Sequence, residues 1–182
     1  MAASLIQQFL ILFISIAYLF PIGVVSTTFT ITNQCEYTVW PGILSNGSGA
    51  APPATLAEFK LDGYDGQDFF DVSLVDGYNL PVLVSPQGGS GQNCSSTGCV
   101  VDLNGACPSD LKVVSDAGEG VPQYCCDGAY ATPDTCKPSS YSLAFKNACP
   151  RAYSYAYDDK TSTFTCSSAD YTITFCPTPS TR

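Results

Sequence analysis

Ten cysteines, all at or beyond Cys35, stand in a 182-residue chain that contains no histidine. A protein kept under reducing conditions rarely carries thiols at this density, whereas one matured in an oxidising compartment uses them as covalent braces. The missing histidine removes the commonest general base, the Ser-His and Cys-His nucleophile systems and most catalytic zinc sites. Zinc held by cysteine alone is the weaker reading, because no Cys-x-x-Cys pair occurs. Any catalysis must therefore run on carboxylates, and no metal or cofactor is expected.

The start of the chain agrees with export. Phe9 to Phe20 form an apolar run broken only by Ser15, Pro21 and Gly23 follow, and Val24 and Ser26 offer small residues for a cleavage site. A membrane anchor needs roughly 20 apolar residues, and this run is shorter with no basic flank after it. Residues 1–26 are expected to be a cleaved signal peptide, although its leading residues lack Lys and Arg, and the protein is expected to be secreted, outside the cell or into a vacuole. With 16 acidic and 7 basic residues, the net charge is −9 and the pI about 4.1. Such a chain suits neither nucleic acid nor anionic membrane surfaces; the expectation is an unanchored monomer.

Apolar periodicity is mostly two. Phe29–Thr32, Thr38–Trp40, Val82–Val84, Tyr171–Phe175 and the alternating Tyr153–Tyr157 read as strands. Asn46-Gly47, Asp62-Gly63, Asp65-Gly66, Asp76-Gly77 and Gly88-Gly89 read as turns between them. Ser139–Ala148 reads as a helix, with Pro138 ahead, a serine cap, and Tyr141 and Phe145 four residues apart. The expected fold is mainly β: a sandwich core from 27–100 and 150–182, with a cysteine-rich lobe over 101–149 holding one short helix.

The motifs resemble one family. Thr28-Phe29-Thr30-Ile31-Thr32-Asn33-Gln34-Cys35, Tyr37-Thr38-Val39-Trp40, Pro53–Phe59, Asp71–Asn79, Gln123-Tyr124-Cys125-Cys126, Phe145–Pro150 and Thr174-Phe175-Cys176-Pro177 are similar to thaumatin-like proteins, the plant pathogenesis-related group five. The resemblance implies a flattened β-sandwich with a disulfide-rich lobe. It also shows departures. Members usually carry sixteen cysteines, and between Trp40 and Pro53 they hold further strands, a small disulfide-rich lobe and the family signature. A second gap falls between Lys112 and Gln123. The sandwich is therefore expected to be partly truncated.

The family pairing, carried over where both partners survive, implies Cys35–Cys176, Cys94–Cys166, Cys99–Cys149 and Cys126–Cys136. Cys107 and Cys125 lose their family partners together, and the expectation is that they pair with each other; the alternative is two free thiols.

Glu58, Asp62, Asp65, Asp68, Asp71 and Asp76 form an acidic stretch diluted only by Lys60, which by itself reads as a solvated surface. The resemblance sharpens it, because members active on glucans carry a cleft built from one Arg, one Glu and three Asp. Its implied counterparts are Glu58, Asp71, Asp76 and one of Asp158 and Asp159, with Asp158 preferred; the Arg belongs to the missing segment. Glycoside hydrolysis uses one protonated and one ionised carboxyl, so Glu58 is expected as the acid and Asp71 as base or nucleophile, with Asp76 and Asp158 binding substrate. Tyr64, Phe69, Phe70, Tyr78 and the Tyr153/Tyr155/Tyr157 set could stack on sugar, although the last group also reads as a core face. Asn46 lies in a glycosylation sequon, and so does Asn93, where the bridge expected at Cys94 argues against use. Three readings follow: a defence protein binding fungal β-1,3-glucan with weak endo-glucanase activity, a protein inhibitor of a microbial glycosidase such as a xylanase, or a truncated isoform with no activity of its own.

Overall fold

A computed structural model describes residues 26–45, 52–112, 126 and 128–178. The proposed signal peptide (but for Ser26), Asn46 and Cys125 lie outside these residues. Six strands form the body: β1 (Phe29–Asn33), β2 (Leu56–Lys60), β3 (Asp68–Ser73), β4 (Val82–Ser90), β5 (Thr97–Cys99) and β6 (Phe164–Phe175). The α-helices among the described residues are α1 (Ser140–Ala148) and the single-turn α2 (Asp159–Ser162).

The long strand β6 organises everything else. Its first residues pair antiparallel with β3, which pairs in turn with β2. Its remainder lies between β4, antiparallel, and β1, parallel, while β5 extends the sheet beyond β4. One strand thus belongs to two sheets, and β3 packs against β4 and β5 without pairing with either. The crossing is made where Ser168 adopts φ 56° opposite Gly88 and Gly89 at φ 69° and 72°. The Gly88-Gly89 pair is therefore a bend inside β4 rather than the turn read from sequence. A Cβ on Gly89 would stand 2.7 Å from that of Ala169, so the bend requires the missing side chain.

Between the sheets, Phe70, Val72, Val82, Val84, Phe164 and Tyr171 are buried. Alternation along β3 sends Phe70 and Val72 inward, and each such side chain stabilises the fold by roughly 2 kcal/mol. Phe59, Phe70 and Tyr171 form an aromatic cluster with centroids 5.0–6.2 Å apart. Buried Asp68 is satisfied within it: one oxygen accepts from the Tyr171 hydroxyl at 2.9 Å, the other from Asp62 N at 3.0 Å.

The helix read over Ser139–Ala148 is present with its cap. Ser139 Oγ accepts from Ser142 N at 3.0 Å while Ser139 N donates to Ser142 Oγ at 2.8 Å, a reciprocal capping box. Two expected strands are not. Thr38–Trp40 has no strand partner among the described residues, and Tyr153–Tyr157 touches β3 only by a bridge from Tyr153 to Ser73. The latter chain turns because Asp158 Oδ2 accepts from both Ser154 N and Ser154 Oγ, and Asp158 N donates to Tyr155 O.

The four bridges implied by the resemblance are formed, at Cys35–Cys176, Cys94–Cys166, Cys99–Cys149 and Cys126–Cys136. Of the expected fifth, Cys107 is a free thiol among the described residues, with its Sγ 3.6 Å from Pro108 O, and Cys125 lies outside them.

Candidate functional site: an acidic cleft on the outer face of β2 and β3

Because Ala57, Phe59, Phe70 and Val72 turn to the core, the alternate residues of β2 and β3 point to the opposite face. That face carries Glu58 directly across from Asp71, and Leu56 across from Ser73. Cross-strand partners stand about 5 Å apart at Cβ, so the strand register alone brings the two carboxyls together. The turn after β3, closed by Gly77 N donating to Leu74 O at 3.1 Å, supplies Val75 and Asp76. Tyr153, Ala156 and Asp159 form the facing wall of a cleft of about 360 Å³.

This wall is fixed by α1. Lys146, in its last turn, donates to Ala152 O at 3.2 Å and to Ser162 Oγ at 2.8 Å, and forms an ion pair of 2.8 Å with Asp158. Asp158, preferred from sequence for the cleft, is therefore occupied in bracing. Its second oxygen accepts from Thr161 Oγ1 at 3.1 Å. Burial would raise its pKa, but the Lys146 and Ser154 hydrogen bonds and the Lys146 charge outweigh it, and the net shift is downward. Asp159 is the residue that faces the cleft, accepting from the Tyr153 hydroxyl at 2.9 Å; that hydroxyl also bonds Thr163 Oγ1.

The carboxyls do not titrate alike. Asp71 is pushed up to about 8, first by burial, then by the Glu58 charge, by donating its proton to Glu58, and by Asp159. One Asp71 oxygen is buried with no hydrogen-bond partner among the described residues. Glu58, at the exposed rim, is raised by burial and by Asp76, opposed by hydrogen bonds from Asp71 and Ser73. With Asp71 pushed up to about 8, its carboxyl holds a proton at neutral pH beside Glu58, and the two titrate as a coupled pair.

Among the described residues no cation lines the cleft. Arg151 lies over the Phe164 ring at 4.2 Å and binds Ser96 O and Ser95 Oγ instead. Of the aromatic candidates only Tyr153 lines it. Phe70 and Tyr78 are buried, Tyr78 donating to Val101 O at 2.9 Å, and Tyr64 stands 85 % exposed outside the cleft. Leu56, Ser73, Val75 and Ala156 were not singled out from sequence, although alternation through Asp68–Ser73 would have put Ser73 beside Asp71. No group of three or more His, Cys, Asp or Glu able to hold a metal occurs among the described residues, and none of their helices is long and apolar enough to cross a membrane.

Two sheets hinged on one strand, four disulfides and an acidic groove define the class, a covalently braced β protein with a polar binding cleft. Comparison with known proteins supplies the family. Residues 45–177 match the thaumatin family, and the chain belongs to it. It is 44 % identical to Thaumatin-like protein 1 of Arabidopsis thaliana, with 86 % of this chain and 88 % of that protein aligned. It is 56 % identical to Pathogenesis-related protein 5 of the same plant, over 81 % of this chain and 63 % of the relative. It is also 52 % identical to a Glucan endo-1,3-beta-glucosidase of Prunus avium, over 74 % and 60 %. Against the last two, it spans about three-fifths of the relative's length. In the first alignment, 86 % of 182 residues is spread over 229 positions, so that relative fills about 70 positions this chain lacks.

Proposed function

We propose that this chain is a secreted plant defence protein that binds β-1,3-glucan in the acidic cleft and hydrolyses it weakly. The feature that carries the reading is the Glu58–Asp71 pair, set across from one another on β2 and β3 in the lining of the cleft, with Asp71 pushed up to about 8. Sugar hydroxyls are neutral donors and acceptors, and suit a groove that offers ionised carboxylates beside one carboxylic acid. The similarity to a protein named as a glucan endo-1,3-beta-glucosidase points the same way.

The roles differ from those expected from sequence alone. Retaining and inverting glycosidases place their two carboxyls about 5–5.5 and 6.5–9.5 Å apart on either side of the bond to be cut, whereas Asp71 and Glu58 are direct cross-strand neighbours on one face of the sheet and titrate as a coupled pair. They form one acid between them, with Asp71 giving its proton to the leaving oxygen. The base then comes from the facing wall, where Tyr153 holds Asp159. Water attacks the anomeric carbon and passes its proton to Asp159. The missing cation and the open, wet cleft keep turnover slow.

The test is laminarin pull-down and hydrolysis by the oxidised protein. Asp71→Asn should abolish hydrolysis and retain binding; a folded protein that neither binds nor cuts laminarin overturns the proposal.

A further inference from the structure

Among the described residues, β1 pairs with β6 on one side only. At the two ends of that ladder the bonds are Tyr171 N to Thr28 O and Gln34 N to Phe175 O. They use even-numbered residues, so the backbone N–H and C=O groups of Phe29, Ile31 and Asn33 point to the open edge. The strand carries none of the usual guards of an edge, having no charge, no proline and no bulge. Phe29 and Ile31 are 39 % and 44 % exposed, yet Phe29 packs against Phe59 and Tyr171 at 4.8 and 5.7 Å. The aromatic core is thus open on this flank.

In the segment after β1, Tyr37, Trp40, Ile43 and Leu44 are exposed by 59–85 %. It is held in place by the Cys35–Cys176 bridge and by Asn33 Nδ2 donating to Tyr37 O at 2.9 Å. Six large side chains exposed to this degree present on the order of 700 Å². That total approaches the share of one partner in a standard interface. Between Ser26 and Ser45, Glu36 is the only Asp, Glu, Lys or Arg, in a chain of net charge −9. Two copies therefore repel one another least across this face.

We propose that this face joins two copies of the chain, their β1 strands pairing antiparallel about a two-fold axis at Ile31. The register is self-complementary. Ile31 meets Ile31 of the second copy, Phe29 meets its Asn33, and the outward-pointing backbone groups satisfy each other. The pairing also covers the open flank of the aromatic core.

The experiment is sedimentation equilibrium of the oxidised chain from about 1 to 100 µM. A dimer is expected, strengthened by added NaCl as repulsion between the acidic bodies is screened. Ile31→Lys sets two ammonium groups together at the axis and should weaken association by at least about tenfold. Should that variant fail to form its four bridges, Trp40→Lys, at a side chain 84 % exposed, should weaken it likewise. A wild-type chain that stays monomeric throughout overturns the proposal, leaving the face to a different partner. Folded variants that dimerise as well as wild type overturn it too, placing the contact elsewhere.

Discussion

Replacing Asp71 by asparagine tests the central electrostatic claim. Asp71 titrates near 8 in the folded protein against an ordinary 3.8, so between these values the folded chain holds a proton that the unfolded chain has lost. Stability from this site is complete below about pH 4, declines as pH rises, and is gone above about pH 8. The displacement corresponds to at most about 6 kcal/mol. Solvent at the open mouth screens the charges, and a loss of about 2–3 kcal/mol between pH 4 and 8 is expected. The side-chain amide introduced by Asp71→Asn keeps an N–H donor toward Glu58 but cannot ionise. Urea denaturation from pH 4 to 9 with disulfides intact should therefore give a flatter profile for the variant. Its gain over wild type should be about 2–3 kcal/mol at pH 8.5 and near zero at pH 4.5. Glu58 titrates in both proteins, but its shift depends in part on Asp71, so the difference reports the coupled pair. Equal slopes in the two proteins would refute the reasoning.

The two neighbouring aspartates should separate cleanly. Asp158→Ala leaves Lys146 without its ion-pair partner and should cost about 2–3 kcal/mol in thermal unfolding, whereas Asp159→Asn should leave stability within about 0.5 kcal/mol and, by removing the proposed base, abolish laminarin hydrolysis. Ser139→Ala removes the cap of α1 and should lower stability by about 1 kcal/mol, read from the denaturation midpoint. Laminarin hydrolysis should fall as pH rises through about 8, where Asp71 loses its proton; activity persisting unchanged at about pH 9.5 would exclude Asp71 as the acid.

The parts of this fold legible in the sequence are those whose signal is local or covalent. Ser139 announced a helix because a cap acts on the residues next to it. Val82–Val84 and Tyr171–Phe175 announced strands because one face of each is buried. The bridges followed from motif resemblance rather than spacing. Tyr153–Tyr157 misled, because its alternation was overridden by Asp158 accepting two hydrogen bonds from Ser154. The choice between Asp158 and Asp159 was invisible, since it depends on Lys146 arriving from another helix. Asp71 and Glu58 were named as a pair, but which holds the proton depends on burial and on neighbours from other segments.

The position of β6 has a consequence for how the protein comes to exist. It is the last strand in chain order, yet β1, β3 and β4 all pair with it. While the chain is being synthesised from its N-terminus, β2–β3 and β4–β5 can pair early, but neither sheet has its shared member. β1 must wait through more than a hundred residues with nothing to bind. Assembly is therefore a single late event that closes long loops at once, the regime in which folding is slow and exposed edges invite aggregation. A polypeptide interrupted before Phe164 would keep most of its residues and almost none of its architecture.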